Sequence, residues 1–486
     1  MDEFKNYLEK YREVGYIVSL SHSIAYISGL PSLKLMEMVI TESGKIGITS
    51  GLGQKSAEIL MTDVENLKVG ERVVKTGKEL EIRIGEGLLG RMINPFCQPI
   101  DGQGPIRGKK EYQKIKRGAL TFIERKRINK PLETGVTMVD LLVPIGYGQR
   151  ELVIGDAKTG KTTFLLQSIS SQAKKGVICI YVGIGKKDTA LKWVEEYLKN
   201  QRILDKVVII HTTPDDSPTL IYLAPYTGMT IAEYFRDQGK NVLIILDDLT
   251  THAKVYREIS LLLKRNPGRD SYPGDIFHIQ AELMERAGNI KFNGKEVSIT
   301  ALPVAETLEN DLSGYIQTNL MAMTDGHIFF DINEFRKGKR PAINTFLSVS
   351  RVGNQTKTQI EKNLADWIRK KMIEYQRAME ISQFGAELPV ETQKTIELGQ
   401  RLEIFFSQAP VTIIPRELQI FWVGLLISDF WKDKSLMEMK AEVLKILKEY
   451  QKGNLPKLPE EIEKIKNLEH LQFLIKEILA EVEKII

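Results

Sequence analysis

Cysteine is scarce in this sequence. Only two cysteines, Cys97 and Cys179, occur among 486 residues, and they lie far apart. Without a CxxC pair or a cysteine–histidine cluster, the sequence indicates neither a disulfide framework nor a zinc site. The six histidines show no metal-ligand spacing either. We therefore expect two reduced thiols in a cytosolic protein.

Long apolar runs and dense basic patches are also missing. Residues 1–14 are charged and lack the apolar core of a signal peptide. The most apolar late stretch, Leu418–Ile427, is much shorter than the roughly 20 residues that cross a bilayer, so it predicts a buried helix. A net charge of +5 is mild and does not indicate a nucleic-acid binder. We expect a protein without a transmembrane segment, which is either soluble or peripheral to a membrane through partners.

Three regions differ in their hydrophobic pattern. Residues from about 15 to 85 show short alternating apolar runs between glycine-rich turns, which predict a small barrel. Next, runs rich in valine and isoleucine alternate with helical stretches, as in a parallel sheet flanked by helices. The last region is helical throughout. We predict an N-terminal β-barrel with a short leading helix over 1–85, an α/β domain over 86–356 and a C-terminal helical domain over 357–486.

An eight-residue motif lies in the second region. Residues 155–162 match the phosphate-loop pattern GxxxxGK(S/T) in full, between an apolar strand and a helical stretch. In such a loop backbone N–H groups surround phosphate oxygens, Lys161 reaches the β- and γ-phosphates, and Thr162 offers a hydroxyl to Mg²⁺. The predicted nucleotide-binding residues here are Gly155, Asp156, Ala157, Lys158, Thr159, Gly160, Lys161 and Thr162. The motif predicts a RecA-like core that binds a nucleoside triphosphate.

An acidic pair follows a later apolar strand. The run Val242–Leu246 ends in Asp247 and Asp248. We predict that Asp247 lies beside the phosphate loop and holds Mg²⁺ through water. A helix N-cap or a surface turn is the alternative interpretation of such an acid, and it suits Asp248 in particular.

Several segments together resemble the alpha subunits of F-type ATP synthases. They are LLGRMINPFCQPIDGQGPI (88–106), ETGVTMVDLLVPIGYGQRELVIG (133–155), LDDLTTHAKVYREISLLLKRNPG (246–268), ALPVAET (301–307), GKRPAINTFLSVSRVG (338–353) and the region around Ser382-Gln383-Phe384. The resemblance covers nearly the whole chain. It implies a non-catalytic subunit that binds ATP or ADP with Mg²⁺.

Lys186 separates this chain from the family's catalytic beta subunits. Those subunits carry a glutamate that activates the attacking water, and Lys186 occupies its place in Ile184-Gly185-Lys186-Lys187. A lysine is normally cationic and cannot serve as that general base. The resemblance therefore implies that the chain binds nucleotide without rapid turnover.

The resemblance also assigns roles near the end of the α/β region. Arg351 matches the family's arginine finger, which reaches the γ-phosphate in the neighbouring beta subunit, and Ser348 would help to hold it. Phe335, Arg340 and Gln408 match residues on the adenine side, although plain packing is an alternative for these three. A salt-bridged surface arginine is the alternative for Arg351.

The resemblance implies partners and a location. It predicts an alternating ring of three alpha and three beta subunits, a central gamma stalk, and a peripheral stalk of delta and b subunits. The complex would be a proton-transporting two-sector ATPase, with this chain peripheral to the cytoplasmic face of a plasma membrane or its equivalent. Two alternatives share the core: a self-sufficient ATPase, such as an export ATPase or a beta-type subunit, and a Rho-type RNA translocase. Lys186 argues against the first, and the few aromatic residues in 15–85 argue against the second.

Overall fold

The computed structural model describes residues 2–382, 389–465 and 467–485. Gln383 and Phe384, which carry part of the family resemblance, lie outside the described residues. The chain forms two compact units, each built from several stretches of sequence. One contains Met1–Lys126, Gly176–Glu306 and Asp311–Thr324, and the other contains Arg127–Lys175, Thr307–Asn310 and Asp325–Ile486.

The first unit begins with a closed six-stranded antiparallel barrel. Its strands are Gly15–Ser21, Ile24–Ser28, Glu37–Thr41, Ile46–Leu52, Ala57–Met61 and Arg72–Glu79. Alternation places Ile17, Val39 and Ile59 in a closed apolar interior. The helix Asp2–Tyr11 lies against the barrel through Phe4. The predicted barrel is confirmed.

The first unit continues with a mainly parallel sheet and its helices. The neighbouring parallel strands are, in order, Lys295–Thr307, Val242–Asp247, Ile178–Gly183, Val207–His211 and Met92–Ile93, with Gly288–Phe292 antiparallel to the first. A separate pair joins Glu81–Ile84 to Glu111–Lys114. The helices are Asp188–Asn200, Pro218–Asp237, Leu249–Leu262, Ile276–Met284 and Tyr315–Met323, with short 3-10 turns at Glu86–Leu88, Leu204–Lys206 and Arg269–Ser271. The central strands are buried on both faces, which explains their continuous apolar runs.

The second unit contains the phosphate-loop strand and the C-terminal helices. Glu151–Asp156 runs parallel to Gly326–Phe330, which pairs antiparallel with Val349–Ser350; Pro131–Leu132 pairs with Ile145–Gly146. The helices are Thr137–Leu142, Lys161–Lys174, Ile332–Arg336, Gln359–Ser382, Val390–Phe406, Arg416–Ile427, Leu436–Gln451, Leu458–Lys464 and Leu468–Ile485, with a 3-10 turn at Gly353–Thr356.

The apolar stretch Leu418–Ile427 lies within the helix Arg416–Ile427 and is buried around Trp422, as predicted. No helix in the described ranges is both long enough and apolar enough to cross a bilayer. The three-part fold class, with barrel, α/β core and helical C-terminal region, is confirmed. The boundaries at 85/86 and 356/357 stay a prediction.

Candidate functional site

The phosphate loop connects a buried strand to a helix in the predicted order. The strand Glu151–Asp156 leads into the loop, and the helix begins at Lys161 behind the N-cap Gly160. A Cβ added to Gly155 would lie 2.2 Å from the carbonyl oxygen of Phe330, so only glycine fits where the loop leaves the sheet. Lys158 has a φ of 62°, in the left-handed region that non-glycine residues rarely adopt. The backbone thus turns sharply and presents the start of the helix.

The side chains of the loop are tied to its own backbone. Lys161 Nζ donates to the carbonyl oxygens of Gly155 (2.8 Å) and Asp156 (2.7 Å). The hydroxyl of Thr159 also donates to the Asp156 carbonyl, at 2.8 Å. Thr162 lies half-buried in the first helical turn. An ammonium group, a hydroxyl and the N–H groups of a helix N-terminus are the donors that a magnesium-bound phosphate chain requires, so the loop fits such a ligand.

Lys186 forms the centre of an ion cluster in the other unit. Its Nζ lies 2.9 Å from Asp247 Oδ1 and 2.7 Å from Asp248 Oδ2. The three residues meet because Gly183 and Asp247 end neighbouring parallel strands in register. Burial alone would lower the pKa of Lys186, but attraction to the two carboxylates outweighs it and leaves the pKa raised. Lys186 therefore remains protonated at neutral pH and cannot accept a proton from water.

The remaining carboxylate oxygens of the cluster are also engaged. Tyr181 donates its hydroxyl to Asp247 Oδ2 at 2.7 Å, and the backbone N–H of Thr251 donates to Asp248 Oδ1 at 2.6 Å. Burial and the adjacent carboxylates raise the pKa of Tyr181 well above its ordinary value, so it stays a neutral donor. Asp248 caps the helix Leu249–Leu262, which confirms the N-cap interpretation.

Tyr181 was missed by sequence reasoning. The available signal was its place in the strand Ile178–Gly183, which lies directly beside the strand that ends in Asp247. That signal can be used only when the strand order is known. Without the strand order, a tyrosine inside an apolar run is interpreted as a core residue.

Arg351 is anchored by its backbone and exposed at its side chain. It follows the short strand Val349–Ser350, and its N–H donates to the carbonyl oxygen of Asp325 at 3.0 Å. Arg150 holds the Asp325 carboxylate at 2.8 Å. Within residues 2–382, 389–465 and 467–485 the Arg351 guanidinium makes no hydrogen bond or ion pair, so the salt-bridge alternative finds no partner there. The arrangement presents a free cation on a fixed backbone.

Two serines fix the segment that leads to Arg351. The Ser348 hydroxyl donates to the Asn344 carbonyl at 2.6 Å and accepts from the Phe329 N–H at 3.0 Å. The Ser350 hydroxyl donates to the Pro144 carbonyl at 2.6 Å. These three bonds join the segment to neighbouring backbone, so its position does not depend on the arginine side chain.

A buried acid lies beneath the same segment. Gln149 Nε2 donates to Ser350 Oγ at 3.2 Å and to Glu151 Oε2 at 2.6 Å. Glu151 is fully buried. Its burial raises its pKa well above the ordinary value, and the Asp325 carboxylate adds to this. Glu151 therefore keeps its proton to a higher pH than an exposed glutamate does.

The residues predicted on the adenine side contact one another. The Arg340 guanidinium carbon lies 3.5 Å from the centroid of the Phe335 ring, and the backbone N–H of Gln408 donates to the Arg340 carbonyl at 2.8 Å. The buried carboxamide of Gln408 donates to the carbonyls of Gly135 (2.6 Å) and Thr412 (2.7 Å) and accepts from the N–H of Thr137 (3.2 Å). These bonds give Gln408 a packing role, whereas the stacked pair has an accessible face. A nucleotide role for the three residues stays a prediction.

The fold and the phosphate loop define a RecA-like nucleotide-binding protein. The family described as "ATP synthase alpha/beta family, nucleotide-binding domain" matches residues 135–350, and "ATP synthase alpha/beta chain, C terminal domain" matches 355–482. The chain belongs to the ATP synthase alpha/beta family.

Its relatives include three proteins named "ATP synthase subunit alpha". The one from Clostridium acetobutylicum is 39% identical over 428 residues, which cover 88% of this chain and 85% of the relative. That from Dictyoglomus turgidum is 41% identical over 435 residues (89% and 85%), and that from Mycoplasmoides gallisepticum is 41% identical over 410 residues (84% and 79%). The resemblance to alpha subunits is confirmed.

Proposed function

We propose that this chain is the non-catalytic, nucleotide-binding alpha subunit of an F-type ATP synthase. The observation that carries the proposal is the state of Lys186, a buried ammonium paired with Asp247 and Asp248 at the place of the catalytic glutamate. A paired cation cannot activate water, so the bound nucleotide is retained and not consumed. The names of the relatives support the same assignment.

The proposed ligand is ATP or ADP with Mg²⁺. The loop from Gly155 to Thr162 surrounds the phosphates, and Lys161 exchanges its internal carbonyl bonds for phosphate oxygens. Thr162 would supply a hydroxyl to Mg²⁺, and Asp247 would hold the metal through water. Bound Mg²⁺ supplies charge neutralisation to the phosphates. The ammonium of Lys161, the hydroxyl of Thr162 and the N–H groups at the helix N-terminus support the roles of the loop.

Phe335 and Arg340 are proposed to lie on the adenine side. Their stacked pair offers a flat, partly cationic surface on which a base can stack. Gln408 supports the pair from the buried side through its bond to the Arg340 carbonyl.

Arg351 is the chain's proposed contribution to catalysis in a neighbouring beta subunit. A guanidinium stabilises charge that builds up on a transferring phosphoryl group, and such a finger contributes about 10³–10⁵ in rate. The exposed, unpaired side chain within the described residues and the anchored backbone support this role. Ser348 holds the segment in place.

The partners follow from this role. Three copies alternate with three beta subunits, the helical C-terminal region faces a gamma stalk, and delta and b subunits form a peripheral stalk. The complex couples proton flow to ATP synthesis, and this chain lies at the membrane periphery on the cytoplasmic or equivalent side.

The proposal is tested by comparing the chain alone with a complex reconstituted from this chain and its beta-type partner. We expect the isolated chain to bind ADP without multiple-turnover hydrolysis, whereas the complex hydrolyses ATP. Robust turnover by the isolated chain would refute the proposal and favour a self-sufficient ATPase.

A further inference from the structure

The segment that ends at Arg351 has little apolar burial to hold it in place. Phe346, Leu347 and Val349 are all exposed, although their side chains are large and apolar. The antiparallel pairing of the segment with the strand Gly326–Phe330 is only two residues long. A segment of this kind gains little from the hydrophobic effect, so its position depends on its hydrogen bonds.

The neighbouring strand bonds this segment at every second residue. At one end, the Asp325 carbonyl accepts from the Arg351 N–H at 3.0 Å. At the other end, the Phe329 N–H donates to the Ser348 hydroxyl at 3.0 Å. Both bonds use backbone groups of the strand, which a substitution in the strand does not remove.

His327 lies between these two positions and makes the third contact through its side chain. Its Nε2 lies 2.8 Å from the carbonyl oxygen of Leu347. A carbonyl oxygen can only accept, so Nε2 carries a hydrogen and donates it. The Leu347 N–H donates to Asn344 Oδ1 at 3.1 Å. The backbone is therefore held on both sides of Leu347, four residues before Arg351.

The ring of His327 is mainly neutral at pH 7. Burial lowers the pKa of the imidazole, and the positive charge of Arg351 lowers it further, although the bond to the Leu347 carbonyl acts in the opposite direction. The net pKa lies below the ordinary value of 6.5. A neutral imidazole has one ring hydrogen, and the bond to Leu347 fixes it on Nε2. A neutral amide is therefore a matched substitute for this donor.

We propose that His327 is a positioning residue for Arg351, because its Nε2–H donor holds the Leu347 carbonyl and thereby restricts the exposed segment that carries the arginine. The inference rests on the proposed role of Arg351 as an arginine finger. Asp325 fixes the backbone at Arg351 itself, and His327 fixes it one turn of chain earlier. With both contacts made, the segment cannot pivot about the Arg351 N–H, and the guanidinium keeps its direction. A displacement of a fraction of an ångström at a catalytic group is enough to lower a rate.

The experiment measures kcat and KM for ATP hydrolysis by the complex of the full chain with its beta-type partner. His327→Phe keeps a planar ring and removes the donor. We expect kcat to fall about fivefold while KM changes by less than about twofold, because the arginine acts on charge that develops in the transition state. His327→Gln supplies a neutral amide donor, and it should keep kcat within about twofold of the natural value.

A double variant shows whether the effect passes through Arg351. In complexes that carry Arg351→Ala, the addition of His327→Phe should lower the rate by less than about twofold, because the group that His327 positions is already gone. Single-turnover hydrolysis with the complex in excess over ATP measures these slow rates. His278→Phe makes the same change at an exposed histidine, so it is the matched control and should keep the natural kcat.

The outcomes separate this inference from the proposed function. A natural kcat in the assembled His327→Phe complex would overturn the inference, and so would an equal fall in His327→Gln, since the donor would then not matter. A fivefold fall that persists beside Arg351→Ala would also overturn it. In each case a low kcat in Arg351→Ala leaves the proposed function standing, whereas a normal kcat there refutes the finger role and this inference with it. If His327→Phe does not assemble with the partner, His327→Leu replaces it.

Discussion

Lys186 and Arg351 are cations in opposite circumstances. Lys186 is three-quarters buried and shared between two carboxylates, each of which has a second donor. Arg351 is exposed, and in the described part of the chain no carboxylate pairs with it, although its backbone is bonded to a neighbouring strand end. One charge is neutralised within its own chain, whereas the other is available to an anion from outside. The presence or absence of a carboxylate partner therefore indicates whether each cation acts within its own chain or on a ligand from outside.

The fixed backbone of Arg351 adds to this contrast. An arginine on an ordered segment loses less conformational freedom when it meets a phosphate than one on a loose loop does. Lys186 is ordered as well, but its ammonium is bound to Asp247 and Asp248 of the same chain. Four substitutions test the contrast.

Removal of the unpaired cation should have the largest effect. We expect Arg351→Ala to lower kcat of the reconstituted complex by about a thousandfold or more, because charge on the transferred phosphoryl group loses its stabiliser. ADP binding to the isolated chain should not change. Steady-state hydrolysis and calorimetry measure the two quantities. Arg377→Ala, at an exposed arginine of the C-terminal helices, is the control, and normal kcat in Arg351→Ala would contradict the finger assignment.

Loss of the Ser348 hydroxyl should have a smaller effect. Ser348→Ala leaves the Phe329 N–H without this acceptor and loosens the segment that leads to Arg351. We expect kcat of the complex to fall about tenfold, since displacement of a catalytic group by a fraction of an ångström lowers the rate. Ser428→Ala removes a hydroxyl that donates to the Gly424 carbonyl in the preceding helical turn, and it serves as the control. If both variants keep full kcat, Ser348 does not position Arg351.

Tyr181→Phe tests whether Lys186 alone satisfies the acid pair. The substitution removes the donor to Asp247 Oδ2 and leaves a buried oxygen unpaired. We expect the free energy of unfolding to fall by about 1–3 kcal/mol, measured by urea denaturation of the isolated chain. Tyr112→Phe, at an exposed position, should change little. An unchanged Tyr181→Phe would mean that the ammonium suffices.

Glu151→Gln tests whether the buried Glu151 carboxyl is ionised and so acts as a counterion to Arg351. The raised pKa means that the folded chain keeps this carboxyl protonated above the ordinary value of 4.5. Its stabilising share is full below 4.5 and is lost as pH rises towards the raised pKa. Relative to the natural chain, Glu151→Gln should therefore gain stability as the pH rises above 4.5 in urea unfolding, while the exposed Glu65→Gln should not. A constant difference would indicate that Glu151 is ionised beneath Arg351.

Contiguous features could be predicted from the sequence, and distant pairings could not. Strand, loop and helix at 151–174 follow one another, so the motif and its flanking runs alone predict this order. The sequence also shows that residue 186 is a lysine, which is normally cationic. The contact of Lys186 with Asp248 could not be predicted, because 62 positions separate the two residues and only the strand register joins them.

Gln408 illustrates a second limit. A glutamine in a matched position fits both a ligand contact and a structural one, and the sequence left both open. The choice depends on whether backbone groups of the same chain reach its carboxamide. Gly135, Thr137 and Thr412 do so through the folding of distant segments. Secondary-structure propensity and motif spacing carry no information on contacts between segments that are distant in the sequence.

Gly353, two residues after Arg351, has a consequence for how this chain can evolve. A Cβ there would lie 1.6 Å from the Pro144 carbonyl oxygen, so every other residue type displaces the backbone. The residue at 351 can be exchanged by a single substitution that leaves this contact untouched. The constraint on the path of the segment therefore falls on Gly353, whereas the charge depends on residue 351.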